Sequence, residues 1–412
     1  MGFADPYLKN KNYLDIAEAP AGLLRYIIVI PAFCEPEIIR TLQCLSNCIS
    51  PRFETEVLIL FNYAESVLQE LKQQTLDQYN QVIQWSNSLK KTQLKFHPLL
   101  AADLPDKYAG AGLARKILMD SAVARFNKAN IYDGIIISLD ADTMVPNNYL
   151  SSLEGEVNPL NSCYIFNFAH PVSGQEFSPA VYQAAILYEL HLRYYKQILQ
   201  STGYPFYQYT IGSCFAVPVH IYVKAGGMNK HKAGEDFYFL QKIFKLGKCT
   251  FIPDAILKPS VRPSWRVPFG TGPAIRKIIN SPVKSLTTYH PELFSILKQF
   301  LEFAPAFYKR NSHQIEDDIS CLPLYFKKFL DENIFFAKIS EMNKNTSSHE
   351  SFIKRFYNWF DGFTVIKYLN FAGKYLKNDI EVCDAVKLFL NITNSPSVLE
   401  LLEILRKKDL NS

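Results

Sequence analysis

From residue 25 onward, short apolar runs alternate with longer stretches in which apolar residues recur every three or four positions. Residues 26–30 (YIIVI) form an almost unbroken β-branched run, the pattern of a parallel strand covered on both faces. Similar runs predict strands at 57–61, 94–99 and 135–139, with helices between them at 36–47, 65–85 and 112–126. Pro36 suits the opening turn of the first helix. That rhythm predicts a doubly wound α/β sheet whose ligands gather at the carboxyl ends of the strands. Further on, 163–169 and 211–217 read as strands and 179–200 as a long helix rich in Tyr and Leu. Segment 237–244 reads as a helix with Phe237, Leu240, Ile243 and Phe244 on one side. The Pro-, Gly- and Arg-rich segment 252–275 predicts loop. From about 290 only helical periodicity remains, interrupted by the polar stretch 343–350. The expected organisation is an N-terminal extension (1–24), an α/β domain (25–280) and a helical C-terminal region (281–412).

Composition adjusts this picture only slightly. Of the 412 residues, 48% are apolar and 20% charged, so the chain can build a sizeable core. A net charge of +5 suits an anionic ligand such as a diphosphate, or loose contact with acidic lipid, but is no nucleic-acid footprint. The eight cysteines are scattered, mostly in apolar surroundings, and read as free thiols in a reducing compartment. Residues 1–10 lack the basic and apolar regions of a signal peptide, and no apolar run approaches the roughly 18 residues of a spanning helix. The expectation is a cytoplasmic protein, at most peripheral at the inner face of a membrane.

Two segments carry the chemistry. In GIIISLDADTMVP (134–146), a buried strand ends in Asp140 and Asp142, one residue apart. Two hard anionic oxygens at a sheet's carboxyl edge suit Mg²⁺ or Mn²⁺ bridging to a diphosphate. A plainer reading makes Asp140 a turn cap and Asp142 a solvated surface charge. In RYIIVIPAFCEPEIIRTLQCL (25–45), a strand passes through Pro31 to Glu35 straight into a helix. Phe33 there could pack beside a base and Glu35 accept from base or ribose. The alternative is a Pro-shaped exit with an exposed Glu. Gly110 and Gly112 permit close backbone approach at a helix start, where free N–H groups favour anions.

In this order the segments resemble family 2 glycosyltransferases. Residues 31–35 (PAFCE) are similar to the family's PAYNE opening, and Asp140-Ala141-Asp142 to its DxD motif. Residues 109–115 (AGAGLAR) resemble its glycine-and-arginine segment, 211–217 with 226–228 its acceptor-side segment, and Gly234-Glu235-Asp236 its ED motif. The resemblance implies a GT-A-type fold and transfer of a sugar from a nucleotide-sugar donor to a glycan, lipid-linked or small-molecule acceptor, with no nucleic-acid partner. It implies that Asp236, beside Glu235, is the general base, and that Asp140 and Asp142 hold Mn²⁺ or Mg²⁺. It assigns the donor to Pro31, Phe33, Glu35, Asn62, Gly112, Arg115 and Asp140, and to the loop carrying Arg262, Trp265 and Arg266. Asn62 stands where an aspartate often ends the second strand. The processive members' QxxRW pattern is absent, which favours single transfer. His231 and His290 are candidates for a third metal ligand. Haloacid-dehalogenase-type phosphatases also use a strand-terminal Asp-x-Asp, with the first Asp as nucleophile, normally near the N-terminus and with Thr or Val where Met144 stands. A non-catalytic glycan- or nucleotide-binding relative is the other alternative.

Overall fold

A computed structural model describes residues 2–89, 94–230, 234–264, 269–376 and 379–410. Seven strands form one mixed sheet in the order β3-β2-β1-β4-β6-β5-β7. They are β1 Leu24–Ala32, β2 Glu54–Ala64, β3 Leu94–Leu104, β4 Ile135–Ser138, β5 Asn161–Phe168, β6 Phe215–Pro218 and β7 Lys248–Leu257. β1 runs parallel to β2 and β4, with Ile28 opposite Val57 on one side and Ile137 on the other. Ile27, Ile28, Val29 and Ile30 are fully buried, so this run shows no alternation of apolar and polar residues. β6 runs antiparallel to β4 and β5, whereas β5 and β7 are parallel. One edge of the sheet therefore receives the carboxyl ends of β1, β4, β5 and β7 together with the start of β6. This is the expected α/β sheet, with a helical C-terminal region after it.

Segment 252–275 is not all loop. β7 runs through Pro253 to Leu257, and a helix begins at Thr271 (Thr271–Asn280). Proline is tolerated in β7 because it is the edge strand and its register with β5 shifts between Ile252 and Ile256. The region after 290 is not wholly helical either, since Asp379–Glu381 pairs antiparallel with Thr287–Tyr289.

The chain forms two compact units, Met1–Ala185 with Thr210–Lys277, and Ile186–Tyr209 with Ile278–Ser412. In the first, residues 2–24 are fastened to the Ala111–Lys128 helix. Arg125 forks onto the fully buried Glu56 at 2.6 and 2.8 Å, and its Nη1 also donates to the Glu18 carbonyl. The Tyr7 hydroxyl donates to the buried Asp120 at 2.6 Å, Leu14 N–H donates to Ser121, and Asn127 holds Ala4 and Asp5. This explains a helix buried nearly all round despite its Arg, Lys, Asp and Ser residues: its polar face is satisfied by the N-terminal segment.

In the second unit the C-terminal helix Val398–Leu410 is held by ions. Fully buried Asp409 accepts from Arg193 (2.5 Å), Tyr209 (2.6 Å) and Lys196 (3.1 Å), while Arg406 forks onto buried Glu189 at 2.8 Å. The 397–407 stretch reads in sequence as an amphipathic, packed helix with a solvated basic end; Lys407 and Lys408 are exposed, whereas Arg406 is drawn inward by Glu189. The core of this unit is aromatic, with Phe300 touching the rings of Phe307, Phe326, Phe335, Phe356 and Phe360.

Candidate functional site

The turn after β1 is built by its neighbours. Cys34 takes a left-handed conformation (φ 48°), and its thiol lies 3.4 Å from Thr75 Oγ1 on the Gln69–Ser88 helix. The Glu35 N–H donates to Gln78 Oε1 of that helix at 2.8 Å. Glu35 is thereby turned inward, which removes the reading of it as an exposed charge. Asn62, near the end of β2, donates its amide to the carbonyls of Ala32 (3.0 Å) and Leu60 (3.4 Å). It braces the β1 exit from below. Pro31 and Phe33 sit half-buried along the same exit.

The Asp-x-Asp turn follows β4 directly and is held from two sides. Thr41 of the Ile38–Ser46 helix donates to the Ala141 carbonyl at 2.9 Å, and Met144 exchanges backbone hydrogen bonds with Lys258 after β7 (2.9 and 3.0 Å). Both carboxylates keep partial exposure, 38% for Asp140 and 24% for Asp142, as groups meeting a ligand must.

Arg115, on the first turns of the Ala111–Lys128 helix, is only 3% exposed and bridges two acidic groups. Its Nη2 donates to Asp140 Oδ1 at 2.5 Å and its Nη1 to Glu235 Oε1. Burial works against the guanidinium charge, but Asp140, Glu235 and Asp236 outweigh it and hold its pKa above the ordinary value. Gly112 is buried one turn earlier on the same helix. Gly212, just before β6, lies against the arginine, and a Cβ there would stand 2.8 Å from Nη2 and 3.2 Å from Cζ. The Ser138 hydroxyl fixes this approach by donating to the Gly212 carbonyl at 2.7 Å. Gly212 lies inside a segment with a sequence signal, yet its contact with Arg115 is visible only in three dimensions.

Glu235 and Asp236 open the helix Glu235–Ile243, where the dipole favours carboxylates. Gly234 precedes them at φ 67°, a left-handed turn into the helix. Burial, then the adjacent Glu235, push the Asp236 carboxyl up to about 7, against the opposing pull of Arg115 and the Phe237 N–H. A carboxyl near neutrality is suited to accept a proton at physiological pH.

Arg262 enters from the loop after β7. Its Nη2 lies 2.5 Å from Glu35 Oε2 and 3.4 Å from Asp142 Oδ2, and these charges, set against its burial, hold its pKa above the ordinary value. The loop depends on Gly272, where a Cβ would stand 2.7 Å from that of Ser264. Trp265 and Arg266 lie outside the described residues, as does His231. His290 caps the helix Pro291–Phe303 in the second unit, its Nδ1 accepting from the Glu292 N–H. That is a structural role. His170, unmarked in the sequence, is buried two residues past β5 at the same sheet edge, 3.3 Å from Thr271 Oγ1.

Among the described residues no group of three or more His, Cys, Asp or Glu side chains is placed to hold a metal. Mg²⁺ is commonly held by one or two carboxylates with the remaining ligands from substrate phosphates and water, so Asp140 and Asp142 remain the candidate pair. No helix among the described residues is long and apolar enough to cross a membrane.

No family model and no curated protein matches the sequence. Among solved structures the chain is similar to S. aureus TarS 1–349. In complex with UDP-GlcNAc that structure gives 11% identity over 86% of this chain and 92% of that one, with a TM-score of 0.43. In complex with UDP it gives 12% identity over the same shares, with a TM-score of 0.40. Identities this low leave the reading of the site to its own residues and distances.

Proposed function

We propose that the chain is a glycosyltransferase that moves a sugar from a nucleotide-diphosphate sugar to an acceptor hydroxyl, one residue at a time and with inversion. The observation that carries this reading is the shared arginine. The Asp-x-Asp turn and the Glu-Asp helix start, distant in sequence, meet on the two ends of Arg115. Arg115 thereby ties Asp140 to the helix start that carries the near-neutral Asp236, an arrangement suited to transfer between two bound partners.

In the proposed reaction Asp236 takes the proton of the acceptor hydroxyl as its oxygen attacks the anomeric carbon. The bond to the leaving diphosphate breaks on the opposite face of the sugar. Arg262, on its loop, supports the departing charge by forking onto phosphate oxygens. Asp142, with Asp140, would hold Mn²⁺ or Mg²⁺, whose chemistry is to neutralise charge on the diphosphate. Glu35, Phe33, Pro31 and Asn62 form the β1–β2 side on which a base and ribose would rest.

The test is release of nucleoside diphosphate from a set of nucleotide-sugars, with water or added sugars as acceptor. Mn²⁺-dependent release, lost in Asp142→Ala and Asp236→Asn, supports the reading. Phosphoaspartate trapped at Asp140, with no release from any nucleotide-sugar, would replace it by the phosphatase alternative.

A further inference from the structure

We infer that Arg115 is a positioning residue that locks the Asp140 turn to the Glu235–Ile243 helix, and not a group that touches the nucleotide-sugar. This rests on the transferase reading above and revises one role within it, because the family resemblance places Arg115 among the donor ligands. The side chain is 3% exposed, and its two terminal nitrogens are engaged by Asp140 and Glu235. Gly212 covers the guanidinium so closely that a single methyl there would collide with Nη2. Its Nε is buried and has no hydrogen-bond partner among the described residues, so this edge too is turned away from solvent. A donor ligand must present a free edge to the cleft, whereas this guanidinium presents its fork to two protein carboxylates.

The consequence is geometric. Asp140 belongs to the end of β4 and Glu235 to a helix preceded by a left-handed glycine. One rigid planar group spans both, so it sets the separation between the donor-side acid and Asp236, the neighbour of Glu235. Lysine could reach either carboxylate but cannot fork onto both. A misplacement of about 1 Å between reacting groups costs roughly 100-fold in rate.

The experiment compares wild type with Arg115→Met, Arg115→Lys and Gly212→Ala. UDP, GDP, ADP and CDP are each titrated with Mn²⁺ by calorimetry, and release is measured from the corresponding nucleotide-sugar. Arg115→Met should lose about 100-fold in release. Its affinity for the nucleoside diphosphate should change by no more than about threefold, under 1 kcal/mol. Arg115→Lys should recover part of the rate, and Gly212→Ala, which keeps the charge but displaces it, should show the same split. Affinity falling in step with release in the Arg115 variants would overturn the inference and leave the transferase reading standing. Should Arg115→Met not fold, Arg115→Lys and Gly212→Ala carry the comparison. Wild-type protein that binds none of the four nucleotides would remove the transferase reading and this inference with it.

Discussion

Between its ordinary value of 3.8 and about 7, Asp236 keeps a proton in the folded protein that the unfolded chain releases. The folded state binds more protons in that window, so this group's contribution to stability falls as pH rises through it and levels off above 7. Asp236→Asn should remove that slope, giving a denaturation midpoint less sensitive to pH between about 4 and 7. Release of nucleoside diphosphate should rise through a pH near 7 in the wild type and drop about 10²- to 10⁴-fold in the variant. A second residue-scale expectation concerns Cys34, whose left-handed backbone suits Asn and penalises β-branched side chains. Cys34→Asn should keep or raise the urea midpoint, and Cys34→Val should cost about 1–2 kcal/mol. Asp140, Asp142, Glu35, Glu235 and Asp236 were legible in the sequence as candidates, because each sits where a strand or helix boundary gives its residue type a meaning. The inward turn of Glu35 was not, since it depends on Gln78 in another element.

The helices and strands that sequence periodicity finds are those whose burial is one-sided or complete. β1, β2 and β4 appear as unbroken apolar runs; β1 and β2 extend the expected bounds by two or three residues at each end, and β4 stops one residue short. β7 escaped because Pro253 and Pro259 read as breakers, whereas an edge strand with a register shift accommodates proline. Periodicity predicts the Ala111–Lys128 helix to within two residues, but its buried polar face has no sequence signature, because its partners come from residues 2–24 and from Glu56. Arg125→Met should leave Glu56 charged and buried, lowering stability to urea by about 3–5 kcal/mol. In the second unit, Asp409→Ala removes the buried carboxylate shared by Arg193, Lys196 and Tyr209 and should cost about 3 kcal/mol, read by the same denaturation. A loss under about 1 kcal/mol in either variant would mean that water replaces the lost partner easily.

For the molecule as a whole, the alternation of strand and helix was enough to give the sheet, since parallel strands need helical crossovers and the chain supplies them in order. The antiparallel β6 matters most for function. By reversing direction it brings Gly212 to the edge where β1 and β4 end, and so packs Arg115 between Asp140 and Glu235. Sequence spacing cannot show such a meeting, which joins residues 120 positions apart. Binding of a nucleoside diphosphate at this edge through a metal at Asp142, as proposed above, can be read by thermal unfolding. Nucleoside diphosphates and nucleotide-sugars are screened with and without Mn²⁺, on wild type and Asp142→Ala. A ligand at 100 times its Kd should stabilise the wild type by about 2.7 kcal/mol. Such a shift is expected for one base, dependent on Mn²⁺ and lost in Asp142→Ala. Folded wild-type protein that shifts with no nucleotide, with or without metal, would contradict it.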